Sequence, residues 1–268
     1  MPLSPASDSR REALAGLRAA LAVAHRSASP EAFVLAEEAV VRTGFPELDA
    51  ALGGGVPRGI LATLEGPAGS GRSALAARLL AAATAGGLGA LIESPAGLEG
   101  AFYPPALAAA GVDLNRLLVV PAAGAAGVAR AADILLRSAA FGVVVIPMVS
   151  LAATVWTRLA SLTHRANALL IALGGEASDE LRYFASLRVR LRSERVRWSG
   201  ASGLFCELAG AGAEATILKH KRAAPGRRAH VVRSAFERGG APMDNLRERE
   251  LFTESSLQQA AAERILAV

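Results

Sequence analysis

Gly66-Pro67-Ala68-Gly69-Ser70-Gly71-Arg72-Ser73 is the stretch on which the reading of this chain turns. It matches the phosphate-loop frame G-x-x-x-x-G-K-[ST] at every fixed position but one, because Arg72 stands where the frame has lysine. In a working loop the glycine N–H groups cradle phosphates, the lysine reaches the β and γ oxygens, and the Ser or Thr hydroxyl binds Mg²⁺. Arginine keeps the charge, but its wide planar fork does not replace a compact ammonium inside a tight loop. Gly66, Gly69, Gly71, Arg72 and Ser73 are therefore read as a vestigial nucleotide site. No working cofactor is expected there, with ATP and Mg²⁺ held weakly if at all, and no catalytic residue is assigned.

The surroundings of the loop set the fold class. Ile60 to Glu65 reads as a short buried strand before it, and Ser73 to Ala85 has the composition of a helix after it. Outward from there, strands are expected at Leu88 to Glu93, Leu117 to Pro121, Val143 to Ile146 and Ala168 to Leu173. Helices at Ala106 to Ala110, Ala129 to Ala140 and Leu151 to Arg165 lie between them. Such alternation predicts an α/β fold, a mostly parallel twisted sheet with helices on both faces. Val143 to Ile146 is apolar and β-branched throughout, as a central parallel strand should be. A phosphate-loop enzyme carries its Mg²⁺-supporting acid at the end of such a strand. Here Pro147 follows, and no carboxylate occurs between Asp133 and Glu176.

Beyond Leu181 the pattern changes. Leu187 to Arg192 alternates strictly, and Val196-Arg197-Trp198 resumes the alternation. Two further strands are expected at Leu204 to Leu208 and Thr216 to Lys221, joined by a glycine-rich loop from Ala209 to Ala213. This reads as an antiparallel extension at one sheet edge. Arg188, Arg190, Arg192, Arg195 and Arg197 are expected to form the solvated face of an edge strand, where like charges discourage aggregation. Binding to DNA phosphates is the alternative.

Composition narrows the classes of function. The net charge is +5, yet residues 182–233 carry twelve Lys or Arg against three Glu, leaving −4 for the rest. Lys219, Lys221, Arg222, Arg227 and Arg228 form the densest basic cluster, suited equally to DNA or to an acidic patch on a partner. No apolar stretch approaches the roughly 20 residues a spanning helix needs. The polar start, Met1 to Arg11, shows no secretory h-region. The single cysteine, Cys206, leaves no internal disulfide and fits a reducing cytoplasm. A soluble cytoplasmic protein without membrane contact is expected. No set of histidines, cysteines or acids suggests a metal site.

Several separated stretches resemble the bacterial recombinase RecA, over roughly residues 41–236. Thr43-Gly44 with Leu48-Asp49 is similar to that family's entry into its core, and Gly111-Val112-Asp113 with Asn115 to a later segment. Arg182 to Arg188 is similar to the opening of its last strands. Lys219, Lys221 and Ala223-Ala224-Pro225 resemble the basic strand and turn that reach a neighbouring subunit's nucleotide. The resemblance implies a RecA-like core at 41–237, flanked by an N-terminal helix and linker arm at 1–40 and a helical tail at 238–268. It also exposes losses. The family's catalytic glutamate falls at Pro95 or its neighbour, and its γ-phosphate-sensing glutamine at Gly174-Gly175. The two loops that hold single-stranded DNA are shortened, and Glu176 to Glu180 contains three acids, which repel phosphates.

Loss of catalysis, sensing and DNA grip together resembles ImuA, the RecA-like accessory group of bacterial SOS mutagenesis. That resemblance implies a non-catalytic adaptor in translesion synthesis. Its partners would be RecA, an ImuB-like Y-family polymerase homologue and an error-prone replicative-type DNA polymerase. Direct DNA contact would be weak. A weak ATP-binding regulator, with Glu93 supplying a carboxylate, and a basic DNA-binding module are the alternatives. Phe33-Val34-Leu35-Ala36 has the F-x-x-A spacing with which recombinases dock on a neighbour, so Phe33 and Ala36 are candidate partner residues. Leu246, Leu251 and Phe252 in the tail are candidates for a partner-binding helix.

Overall fold

The computed structural model describes residues 40–94, 102–194, 197–199, 207–222 and 225–234. Its centre is the expected strand–loop–helix unit. Strand β3 (Ile60–Glu65) follows a small ribbon made by β1 (Val40–Val41), helix α1 (Pro46–Leu52) and β2 (Val56–Pro57). Thr43 closes the entry to α1, its N–H and Oγ both donating to Asp49 Oδ1 at 2.9 Å. The phosphate loop leads from β3 into α2 (Arg72–Thr84). Then come β4 (Leu88–Glu93), α3 (Pro104–Ala109), β5 (Leu117–Pro121), α4 (Gly124–Ser138), β6 (Phe141–Pro147), α5 (Ala153–Ala166) and β7 (Leu169–Gly174). Helix α6 (Asp179–Phe184) introduces β8 (Leu187–Ser193), β9 (Arg197–Ser199), β10 (Glu207–His220) and β11 (Arg228–Ser234).

These strands form one nine-stranded sheet in the order β11-β10-β8-β3-β7-β6-β4-β5, with β9 on β10. From β8 to β5 every pairing is parallel. Strand β10 runs antiparallel to β8, β9 and β11. The expected class therefore holds, a parallel sheet with an antiparallel extension. The central strands are buried on both faces, which is why β6 and β7 read as continuous apolar runs. One face carries Leu75, Leu79 and Leu80 of α2 with Leu48 and Leu52 of α1. The other carries Val128 and Leu136 of α4 with Trp156 and Leu159 of α5.

Two expectations about the extension are corrected. Residues 209–213 are not a loop, because β10 is one continuous strand of 14 residues. Ala213 and Ala215 are buried, in the same apolar cluster as the residues of α1 and α2. Paired on both sides, the segment keeps its ladder despite weak β propensity. Nor is β8 an edge strand: β3 and β10 flank it. Of the arginine ladder, Arg188 is mostly buried, while Arg190 and Arg192 are exposed. Arg195 lies outside the described residues, as does the side chain of Arg197.

Candidate functional site

The phosphate loop is folded tightly onto its own supports. Gly66 is buried at φ +149°, and a Cβ there would collide with the Leu191 carbonyl oxygen. Its N–H donates to the carbonyls of Gly174 (3.2 Å) and Gly175 (2.9 Å). Gly174 and Gly175 therefore act as backbone acceptors that tie the loop base to the end of β7. Gly71, at φ +91°, enters α2 beside the Ala213 side chain. Pro67, Ala68, Gly69 and Ser73 are exposed, whereas Arg72 is 6% exposed. Arg72 thus starts α2 as a buried residue. Ser70 Oγ is also buried, without a hydrogen-bond partner among the described residues.

The carboxylates at the ends of the strands beside the loop are committed elsewhere. Glu65, fully buried at the end of β3, accepts from Arg188 Nε at 2.7 Å and Nη2 at 3.0 Å, and from Thr63 Oγ1 at 2.8 Å. Burial by itself raises the pKa of this carboxyl. The hydrogen bonds from Arg188 and Thr63, with the charges of Arg188 and Arg190, outweigh it and hold the group below its ordinary value. Glu93 Oε1 accepts from the Phe102 N–H at 2.8 Å. At the end of β6, Pro147 pairs with Leu173, and Met148 N–H donates to the Leu173 carbonyl at 2.8 Å. Among the described residues no group of three His, Cys, Asp or Glu is placed to hold a metal. Pro95 lies outside the described residues.

The basic cluster is divided by the fold. Lys219 Nζ donates to the carbonyls of Arg182 (2.7 Å) and Tyr183 (2.9 Å), so it caps the C-terminal end of α6 rather than facing solvent. Burial, with Lys221 and Arg188 nearby, lowers its pKa. Arg228 pairs with Glu214 at 3.3 Å, and Arg227 reaches the Ala51 carbonyl at 3.4 Å. Lys221 and Arg222 are exposed. Phe33, Ala36, Leu246, Leu251 and Phe252 lie outside the described residues. The Glu65–Arg188 pair escaped the sequence reading. Its one signal was a glutamate ending an otherwise apolar strand beside a strand with alternating arginines.

Titration follows from these positions. Burial, with Arg222 and Arg227 close by, pushes the pKa of His220 below its usual 6.5. Between the unfolded and folded values the unfolded chain binds the extra proton, so stability is full above pH 6.5 and falls as the pH drops below it. Glu65 behaves likewise from 4.5 downward. Urea midpoints measured by circular dichroism are expected to fall in two stages, with His220→Asn removing the upper one. A flat profile from pH 7 to 4 would refute this.

A P-loop α/β protein with RecA-like architecture is what the sheet order and the loop define. Residues 33–159 match the RecA N-terminal domain. RecA of Crocosphaera subtropica is 36% identical over 158 residues, covering 59% of this chain and 39% of that protein. RecA of Synechocystis is 27% identical over 287 aligned positions, covering 88% and 78%. The RadB recombinase structure superposes with a TM-score of 0.54 at 19% identity, covering 71% of this chain and 94% of that one. The chain thus spans about two fifths of the first of these relatives. Together the likenesses show a RecA-like fold and a sequence similarity to RecA concentrated in residues 33–159. No helix of the described residues is long and apolar enough to cross a membrane.

Proposed function

We propose that the protein is a non-catalytic RecA-like adaptor in damage-induced mutagenesis, as in the ImuA group. It binds RecA and an ImuB-like Y-family polymerase homologue, and through them an error-prone replicative-type polymerase, at sites of damage. The observation that carries the loss of catalysis is the engagement of Glu65 and Glu93 within the fold, with Pro147 at the end of β6. A magnesium-assisted attack on a γ-phosphate needs a carboxylate to hold the metal or orient water.

Strand β5 supports the adaptor role. It ends the sheet, and among the described residues no strand covers its outer side. Leu118 and Val119 on its two faces are 45% and 44% exposed, and Leu114 and Ile134 are exposed as well. An apolar edge of this kind takes an added strand, with main-chain hydrogen bonds giving affinity and alternate side chains giving specificity. The segment Phe33 to Ala36 offers the reciprocal half of such a joint.

Affinity capture of the tagged chain from DNA-damaged cells tests the reading. Recovery of RecA with a Y-family-like polymerase is expected, and recovery of neither removes the ImuA assignment. With purified RecA, Val119→Lys on β5 and Phe33→Ala are each expected to weaken binding about tenfold, a loss of about 1.4 kcal/mol. The purified chain is expected to show no DNA-stimulated ATP hydrolysis, and Arg72→Lys no rescue. Turnover in the unmodified chain would sink the adaptor-only view.

A further inference from the structure

We propose that the groove between α5, α6 and the C-terminal end of β10 is a docking pocket for an acidic peptide segment bearing one large apolar side chain. The groove is a cavity of about 590 Å³, within the range of formed ligand sites. Leu61 and Leu187, both 1% exposed, give it an apolar floor. Phe184 and Tyr183 stand edge to face with centroids 5.1 Å apart, and Tyr183 is 75% exposed at the rim. That floor suits a leucine or phenylalanine anchor.

The charge around the groove is all of one sign. Lys221 and Arg222 are exposed, His164 and His220 line the wall, and among the described residues no acidic residue lines it. His220 adds an independent sign of a missing ligand. Its Nδ1 accepts from the Arg222 N–H at 3.1 Å, so the ring proton sits on Nε2. The imidazole is 8% exposed, and Nε2 is buried with no acceptor among the described residues. A buried donor left without an acceptor is costly, and a small rotation toward an incoming carboxylate would satisfy it beside two cations.

Nucleic acid fits less well. Lys219 and Arg228 are already engaged by carbonyls and by Glu214. A nucleotide reached across a subunit boundary would need Lys219, which points instead into the end of α6. The groove involves β8 and β10, at the opposite end of the sheet order from β5, so the inference does not rest on the RecA-binding reading.

The test is panning of a random dodecapeptide display library on the full chain, followed by affinity measurement with the enriched peptide labelled. Expected is a consensus of Asp and Glu around a single Leu, Phe or Trp. Thr157→Trp, at an exposed lining position, is expected to fill the groove and weaken binding at least tenfold. Lys221→Glu combined with Arg222→Glu should do the same, and all variants should keep the parent's circular dichroism and melting temperature. Failure to enrich any peptide, a consensus without acids, or equal enrichment on Thr157→Trp would each overturn the proposal. Displacement of the peptide by an equimolar thymidine oligonucleotide or by Mg-ATP would overturn it too, assigning the groove to those ligands.

Discussion

Arg188→Ala is expected to destabilise the protein by about 3–5 kcal/mol, the range for removing one partner of a buried ion pair. Glu65 would keep its charge while fully buried, with only Thr63 and the distant Arg190 (3.9 Å) left to it. Arg190 is half exposed and cannot reproduce the two-pronged contact of 2.7 and 3.0 Å, so little compensation is available there. The size of the loss reflects an uncompensated charge rather than the net worth of the pair. Glu65→Leu combined with Arg188→Leu should therefore recover most of it, because two apolar groups of similar volume leave no charge to desolvate. Urea unfolding by circular dichroism measures both variants. A loss under about 1 kcal/mol for Arg188→Ala would refute the buried-charge account, since exposed pairs fall in that range.

The second large effect belongs to Trp156. It is fully buried on the face covered by α4 and α5, in contact with the layer that holds Val128, Ile146 and Leu170. Trp156→Ala is expected to cost about 3–5 kcal/mol, the transfer free energy of the ring plus the void it leaves. Trp156→Phe should cost markedly less than the volume change alone suggests. Among the described residues the indole Nε1 is buried without an acceptor, and losing an unsatisfied donor recovers about 1–3 kcal/mol of desolvation. Melting curves of the two variants separate packing from polarity. Equal losses for Phe and Ala would mean that the indole nitrogen finds a partner.

The parallel half of the sheet was legible because its cues are local. Leu117–Pro121 is the strand the sequence predicts, residue for residue. The strand predicted at Val143 to Ile146 extends only to Phe141–Pro147. Apolar β-branched runs punctuated by Gly and Pro leave little choice when both faces are covered. The antiparallel half was less legible. The alternation at Leu187 to Arg192 marks a strand with two unlike faces, but it does not say whether the polar face meets water or a partner. Strand β8 turned out to lie between β3 and β10, and Arg188 to meet Glu65, a residue 123 positions away in the chain.

The candidate site divides along the same line. The phosphate-loop frame, the arginine in place of lysine and the proline in place of an acid are properties of single positions, readable from residue type alone. What each side chain does with its charge is not. Lys219, Lys221 and Arg222 sit almost together in sequence, yet one caps α6 and the other two are exposed. By itself, then, the sequence determined the class of the fold, the departure of the loop from the phosphate-loop frame at Arg72 and the basic excess of the last strands, because residue type, period and spacing carry that information. The tertiary structure alone decided which charges are spent inside the protein and which remain exposed. Ion pairs and caps form between strands and helices that are distant in the chain, and burial, which sets their strength, belongs to the folded whole.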